Sequence, residues 1–240
     1  MPGPVKTQAV VLRSIRYGEA DRIVHLYTPH RGRVGAIAKG ARRARSRFGG
    51  RLEPFFRLDL MLHEGRSELL TVTAAETLDG YPRLREHGGA LDSAARACDA
   101  VARLFDTTEP HPEVFNLLCN ELALLDADPA RGTHANQLAF RLKLLLAAGF
   151  APQLAGCAAC GAQDHISGFS GAAGGVVCSA CEASSFPLDA AAHEFLASAL
   201  GAPLAATPPA PERALRQAER AIAELVEHHA GVRLRPAVPG

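Results

Sequence analysis

The first eighty residues alternate apolar and polar positions with a period of two, the spacing of β-strands that bury one face. The clearest case is the segment PFFRLDLMLHEG, in which Phe56, Leu58, Leu60 and Leu62 fall on one face. Similar short segments separated by turn residues are AVVLRSIRY, RIVHLYT, RVGAIAKG and ELLTVTAAET. Because no helical pattern of about 10–15 residues separates them, the five strands predict a small barrel or sandwich rather than parallel βαβ units.

Beyond residue 80 the apolar positions recur every three or four residues, as they do on one face of an α-helix. This spacing predicts helices that begin near Leu91, at Pro112 and at Thr133. Two further helices are predicted in the segments PLDAAAHEFLASAL and PERALRQAERAIAELVEHH, which a proline-rich loop joins. The chain is therefore predicted to be an α+β protein, with a β domain at residues 1–80 and an α-helical domain at residues 81–240.

Length and composition fit this division. The chain has 240 residues, of which 48% are hydrophobic, enough for one large core or two modest ones. No apolar run reaches the roughly 18 residues of a transmembrane helix, and the N-terminal segment lacks the apolar stretch of a signal peptide. We therefore expect a cytoplasmic protein without a membrane partner, in a compartment that keeps thiols reduced.

The net charge of +1 hides an asymmetry along the chain. Residues 1–60 carry 13 Lys and Arg against 4 Asp and Glu, whereas residues 61–240 carry 13 against 21. The local charges are therefore +9 and −8. A basic N-terminal part on an acidic remainder favours binding of a polyanion by the β domain.

The positive charge is concentrated in the segment IAKGARRARSRFGGR, which holds five cations within nine residues. Because glycines flank it and it lies between two predicted strands, we expect a loop that is mobile when unbound. Guanidinium groups match phosphate oxygens, and aromatic rings in the same domain can stack on bases, although most of those rings are expected in the core. The alternatives are a solvated loop and a binding site for an acidic protein. The candidate contacts to nucleic acid are Lys39, Arg42, Arg43, Arg45, Arg47 and Arg51.

Six cysteines are present, and four of them form two Cys-x-x-Cys pairs separated by seventeen residues. Each pair can place two sulfurs on one tight turn, and two such turns fill the tetrahedral shell of a zinc ion. The glycine-rich residues between the pairs are suited to a hairpin. The spacing predicts one structural zinc ion in an insert at residues 156–182, with the ligands Cys157, Cys160, Cys178 and Cys181.

Other interpretations of the cysteines remain open. Cys98 and Cys119 lie on the apolar faces of predicted helices and are interpreted as small buried side chains. His165 lies inside the insert and can in principle replace a sulfur ligand. A catalytic zinc would need an open coordination position, as in a zinc-ribbon enzyme that modifies RNA or nucleotides. A thiol redox switch is a third interpretation.

Several segments, in order, resemble the RecO family of bacterial DNA repair and recombination proteins. They are the opening AVVLRSIRYGEADRIVHLYTPHRGRVGAIAKGARR, the strand LEPFFRLDLML, the helix and first cysteine pair AFRLKLLLAAGFAPQLAGCAACG, and the second pair CSAC. Their order and spacing make the similarity specific, and it covers nearly the whole chain. It is weakest after Ala183.

The resemblance implies an N-terminal OB-fold β-barrel, followed by an α-helical domain that carries a four-cysteine zinc finger. It further implies a non-enzymatic mediator that binds single- and double-stranded DNA at the nucleoid and anneals complementary strands. The implied partners are RecR and the acidic tail of the single-strand DNA-binding protein, with RecA loaded onto DNA as the outcome. By position in the motif AKGARR, the resemblance selects Lys39, Arg42 and Arg43 as DNA contacts, whereas Arg45, Arg47 and Arg51 follow from charge alone.

Overall fold

The structure is a computed structural model that describes residues 3–65 and 67–237. It divides into two compact units, Met1–Pro129 and Ala130–Gly240. No helix in the described part of the chain is long and apolar enough to cross a membrane.

The first unit begins with a closed five-stranded barrel in the order β1-β2-β3-β5-β4, in which β4 pairs back onto β1. All pairs are antiparallel except β3 with β5. This is the OB-fold architecture, and it confirms the predicted fold class. The strands are β1 (Pro4–Tyr17), β2 (Asp21–Thr28), β3 (Gly32–Ala38), β4 (Arg57–His63) and β5 (Leu70–Asp79).

The barrel closes because β1 is long enough to serve two neighbours. Its first half pairs with β4 and its second half with β2, and Val10 has a partner in each strand. The register with β2 shifts between Val11 and Arg13, so a bulge lies where the strand passes from one partner to the other. Bulges bend a strand and increase its twist, which is what closure of a small barrel requires.

Alternate residues of each strand fill the barrel, as the period of two predicts. In β4 the buried residues are Leu58, Leu60 and Leu62, each at most 1% exposed. They pack with the inward residues of the other strands into one apolar cluster, whose further members include Ala9, Val11, Val24, Leu26, Val34, Ala36, Ala38 and Val72.

Three helices complete the first unit: α1 (Pro82–Glu86), α2 (Gly88–Leu104) and α3 (Pro112–Ala127). The buried ring of Tyr27 on β2 packs edge-on against Phe105, with ring centroids 6.4 Å apart. At Gly32 the loop before α3 comes so near that a Cβ atom would lie 2.3 Å from the carbonyl oxygen of Glu109. Glycine is therefore required there for close packing as well as for its φ of 50°.

The second unit is helical around a small sheet. An apolar face of α4 is buried, and the hydroxyl of Thr133 accepts from the N–H of Asn136, capping the helix at its predicted start. The sheet has the order β7-β6-β8. The elements are α4 (His134–Ala147), β6 (Ile166–Ser170), β7 (Gly175–Cys178), β8 (Phe186–Pro187), α5 (Ala190–Gly201) and α6 (Glu212–Ala230).

The predicted barrel strands and helices are present, and the structure adds short elements that were not predicted, among them α1 and β8. The five-residue helix α1 has no periodic pattern to mark it, and the sequence gives no sign of it. The structure also groups α1, α2 and α3 in one compact unit with the barrel. The domain boundary after residue 80 stays a prediction.

Candidate metal centre and nucleic-acid interface

The first Cys-x-x-Cys pair lies on a tight turn between α4 and β6. The N–H of Gly161 donates to the carbonyl oxygen of Cys157 at 2.8 Å, and the N–H of Cys157 donates to that of Ala162 at 2.7 Å. Gly161 has a φ of 79°, a left-handed conformation that costs glycine little. The glycine after the second cysteine therefore lets the chain turn back, so that both sulfurs lie on one side.

The second pair lies on the turn after β7. The N–H of Cys181 donates to the carbonyl oxygen of Cys178 at 2.9 Å. Glu182 follows this pair where glycine follows the first, and the left-handed residue comes later, at Ser184 with a φ of 67°. The glycine-rich residues between the pairs form the predicted hairpin, in which β6 pairs with β7.

The two turns bring four sulfurs together. All four Sγ atoms lie within 4.8 Å of one another, and those of Cys160 and Cys178 are 3.7 Å apart. In a tetrahedral shell with Zn–S bonds of ~2.3 Å, neighbouring sulfurs are ~3.8 Å apart. All four cysteines are free, and the 3.7 Å separation is far beyond a disulfide bond of ~2.05 Å. The four predicted ligands, Cys157, Cys160, Cys178 and Cys181, are therefore positioned to hold a metal ion.

The thiols of this cluster differ in acidity. Backbone N–H groups, first that of Cys178 and then that of Cys160, lower the pKa of the Cys157 thiol to about 6. Hydrogen bonds with the side chains of Cys160 and Cys178 raise the pKa of Cys181 to about 12. Because metals bind thiolates, the lowered pKa of Cys157 favours metal binding, and binding of a metal releases protons from thiols that are still protonated.

The hairpin between the cysteine pairs is packed tightly onto the helical body. A Cβ atom at Gly175 would lie 2.2 Å from the carbonyl oxygen of Gln153, and one at Gly171 would lie 2.9 Å from the backbone of Glu224 in α6. Nε2 of His229 donates to the carbonyl oxygen of Gly171 at 3.0 Å. The cysteine turns therefore hold a segment that is fastened to α6 through backbone contacts.

The remaining candidates in this region are not part of the cluster. Cys98 and Cys119 are buried on α2 and α3, as predicted. Burial raises the pKa of both thiols, that of Cys119 to about 11. The side chain of His165 is exposed, and it is not among the four clustered residues.

Residues 39–56, which join β3 to β4, form what we call the basic segment. It consists of consecutive tight turns, in which Arg43, Ser46 and Gly49 each donate a backbone hydrogen bond to the residue three positions earlier. Gly40 and Gly49 have φ values of 68° and 54°. The segment is thus folded along most of its length rather than an open loop.

Buried side chains fix the basic segment to the barrel. Ala41, Phe48 and Leu52 belong to the barrel's apolar cluster, and Phe48 and Leu52 are only 1% and 2% exposed. The N–H of Phe55 donates to the carbonyl oxygen of Val11 on β1 at 2.8 Å. The predicted loop is therefore anchored by an apolar residue at every fourth to seventh position, and its mobility when unbound stays a prediction.

The basic segment is also tied to the turn between β1 and β2. The carboxylate of Asp21 accepts from the N–H of Gly40 at 2.7 Å, and the N–H of Arg42 donates to the carbonyl oxygen of Ala20 at 2.8 Å. The guanidinium of Arg42 reaches the carbonyl oxygen of Gly18 at 3.3 Å. The GEAD and AKGARR motifs therefore form one end of the barrel.

The six basic candidates are exposed, and within the described residues none of them forms an ion pair. The guanidinium of Arg51 donates only to backbone carbonyl oxygens, and that of Arg47 lies 4.9 Å from the ring centre of Phe48. A cation without a carboxylate partner can meet a phosphate without breaking an existing ion pair. The structure brings together on this one segment Lys39, Arg42, Arg43, Arg45, Arg47 and Arg51.

The aromatic rings of the barrel differ in accessibility. Tyr27, Phe48 and Phe55 are buried, and Phe56 is half-buried. Tyr17 is 53% exposed at the end of β1, and it is the one exposed aromatic side chain in the described chain. The sequence pattern does not distinguish it from the buried rings.

Comparison with known proteins gives the family. The family model described as Recombination protein O N terminal matches residues 1–81, and the one described as Recombination protein O C terminal matches residues 85–236. The chain belongs to the RecO family. The RecO match spans both units, from the barrel with its basic segment to the cysteine cluster.

Curated RecO relatives match over most of their length. The chain is 39% identical over 238 residues to the DNA repair protein RecO of Anaeromyxobacter dehalogenans, covering 96% of this chain and 93% of the relative. It is 42% identical over 224 residues to that of Rubrobacter xylanophilus, covering 90% and 89%. To that of Geobacter sulfurreducens it is 37% identical over 202 residues, covering 82% and 81%. The protein is therefore a DNA repair protein of the RecO family, as the resemblance implied.

Proposed function

We propose that this chain is a recombination mediator that binds single- and double-stranded DNA through the basic segment and anneals complementary strands. Together with RecR, it would help load RecA onto DNA coated by the single-strand DNA-binding protein, whose acidic tail it would bind. The activity requires no bond-breaking chemistry from the chain, and it would take place in the cytoplasm, at the nucleoid. The family membership supports the role, and the basic segment supports the mode of binding.

The observation that carries the proposal is the set of six exposed cations without acidic partners at one end of the barrel. DNA binding by such groups releases condensed counterions from the phosphates, which is the main source of sequence-independent affinity. Annealing follows from the same neutralisation, because two strands whose charge is reduced approach with less repulsion. The bases remain free to pair if the contacts are to phosphates.

We further propose that the metal at the four cysteines is one structural zinc ion. The donor set is all sulfur and fills a tetrahedral shell, whereas catalytic zinc usually keeps a position for water. This donor set argues against the zinc-ribbon enzyme considered above. The ion would hold the two cysteine turns together and fasten residues 156–182 within a helical domain at residues 81–240.

The test of DNA binding is the combined replacement of Arg42, Arg43 and Arg45 by Ala. Each lost phosphate contact on a single strand changes the slope of log affinity against log salt by about 0.7, so the triple variant should flatten it by about 2. Affinity is measured with a fluorescently labelled oligonucleotide at several salt concentrations, for single strands and duplexes.

The matched control removes the same charge from the second unit. Arg213, Arg216 and Arg233 have exposed side chains, and their replacement by Ala should leave the salt slope unchanged. An equal loss of affinity in both triple variants would mean that net charge, rather than the basic segment, governs binding. An unchanged slope in the first variant would remove the segment from the interface.

A further inference from the structure

The outer face of the barrel carries an apolar row beside the basic segment. Ile15 on β1 pairs with Ile23 on β2, which pairs with Ile37 on β3, so the three side chains lie side by side across the sheet. The inward residues of β2 and β3 fill the core, which assigns these isoleucines to the outside, where each is half-buried. Tyr17, two residues after Ile15, lies on the same face at the open end of the row.

Part of this outer face is covered by the first unit's own elements. Tyr27 is buried against Phe105, and the guanidinium of Arg33 donates to the carbonyl oxygen of Ala102 in α2. The side chain of Leu69 lies over Gly35. The half that remains accessible is the one that holds the isoleucine row and Tyr17, and it is adjacent to the basic segment.

Arginines flank the accessible half, and the acidic residues Glu19 and Asp21 lie in and beside the turn that follows Tyr17. Arg13 pairs with His25 across β1 and β2, and burial together with the charges of Arg33 and Arg13 lowers the pKa of His25. The side chains of Arg13 and Arg16 are exposed, and neither forms an ion pair among the described residues. At the other end, the guanidinium of Arg42 contacts the carbonyl oxygen of Gly18, the residue after Tyr17.

We infer that this outer face binds the unpaired bases of a single strand, with Tyr17 as the stacking platform and Ile15, Ile23 and Ile37 as the surface beneath the next base. The inference rests on the proposed function and divides it between two sets of residues. The basic segment contacts phosphates, which single strands and duplexes share. Tyr17 contacts a base face, which a duplex keeps inside its own stack, and it thereby gives the preference for single strands.

We choose single-stranded DNA as the ligand because it fits both the charge and the shape of this face. A segment made only of acidic residues would satisfy the cations but would leave the exposed ring and the apolar row uncovered. A single strand uses both, because its phosphates and its base faces alternate along the chain. Asp21, the acidic residue paired with Tyr17, already accepts the hydrogen bond from Gly40.

The composition provides a direct probe of the stacking. The chain has no tryptophan and three tyrosines, and Tyr27 and Tyr81 are buried at 0% and 5% exposure. A Tyr17→Trp variant therefore carries a single tryptophan at the proposed site. Its emission should be quenched when a thymine oligonucleotide is added, and it should be unchanged with a duplex of the same length.

The affinity test uses three variants of the full chain. Tyr17→Ala should weaken single-strand binding roughly tenfold, leave duplex binding unchanged and leave the salt slope unchanged, because it removes no charge. Tyr17→Phe keeps the ring and should bind as the unaltered protein does. Leu78→Ala removes an exposed apolar side chain elsewhere on the barrel, 42% exposed on β5, and should have no effect on either affinity.

The outcomes separate this inference from the proposed function. If the oligonucleotide binds with unchanged affinity to Tyr17→Ala, or binds Tyr17→Trp without changing its emission, base stacking on this face is refuted. That result leaves the proposed role of the basic segment in phosphate binding unchanged. If the unaltered chain binds neither single strands nor duplexes, the proposed function itself fails.

Discussion

Replacement of Cys160 by Ser tests the structural role of the metal. Cys160 is exposed, so the exchange of sulfur for oxygen removes little packing, but its Sγ lies 3.7 Å from that of Cys178 and is one of the four proposed ligands. Few apolar side chains surround the cysteines: Val177 is buried there, and Ile166 is partly buried. We therefore expect the loss of the metal, rather than the loss of contacts, to determine the result.

The size of the effect follows from the linkage between metal binding and folding. At a free zinc concentration of 1,000 times the dissociation constant, the ion stabilises the folded state by about 4.1 kcal/mol. For a unit of roughly 100 residues, about 4 kcal/mol corresponds to a fall in Tm of roughly 20 °C. Cys160→Ser should show this fall with zinc present, and addition of a chelator should lower its Tm no further.

The assay is thermal unfolding with and without a chelator, together with a metal count per chain and single-strand DNA affinity below the transition. One zinc per unaltered chain is expected, and DNA affinity per folded molecule should change little. Cys119→Ser is the matched control, since it alters a buried cysteine outside the cluster and should leave the response to chelator intact. A variant Cys160→Ser that keeps its Tm but loses DNA binding would refute the structural role.

Two further predictions concern the barrel. Phe48→Ala removes the ring that anchors the basic segment and should lower the free energy of unfolding of the first unit by about 3–5 kcal/mol, measured in urea. Phe48→Leu keeps an apolar side chain there and should lower it clearly less. Equal stabilities of the two variants would contradict the anchoring role of Phe48. Burial and the charges of Arg33 and Arg13 lower the pKa of His25 in the folded state. His25 therefore contributes to stability above its unfolded pKa of ~6.5, where it is neutral, and this contribution is lost as the pH falls through the folded pKa. In an NMR titration Arg13→Gln should raise the pKa of His25, and an unchanged value would show that Arg13 does not act on it.

The strands and the metal ligands could be predicted because their signals are local. The period of two in residues 56–62 determines which side chains point into the barrel, whichever strands pair with this one. Likewise, Cys-x-x-Cys places two sulfurs on a turn whatever the rest of the chain does. The helix α1 was missed for the same reason: five residues are too few for a periodic pattern.

Burial of individual rings and the state of the basic segment depend on tertiary packing, which the pattern does not contain. Phe48 lies in a run of polar and basic residues, yet its ring enters the barrel core and anchors a segment that the sequence predicts only as a loop. Tyr17 and Tyr27 both lie in β-strand segments with alternating patterns. One is exposed and the other buried, because Phe105 covers only the second.

The same limit applies to charge. In the sequence, Arg22 and Arg42 are equivalent members of one basic stretch that contains no acidic residue between positions 22 and 52. In the structure, Arg22 forms an ion pair with Glu53 at 2.7 Å, whereas Arg42 contacts only a backbone carbonyl oxygen. A phosphate that approaches Arg22 must compete with a carboxylate, but one that approaches Arg42 gains an uncompensated charge. The number of cations in a segment therefore overstates the number available to DNA, and the unpaired ones should set the salt slope.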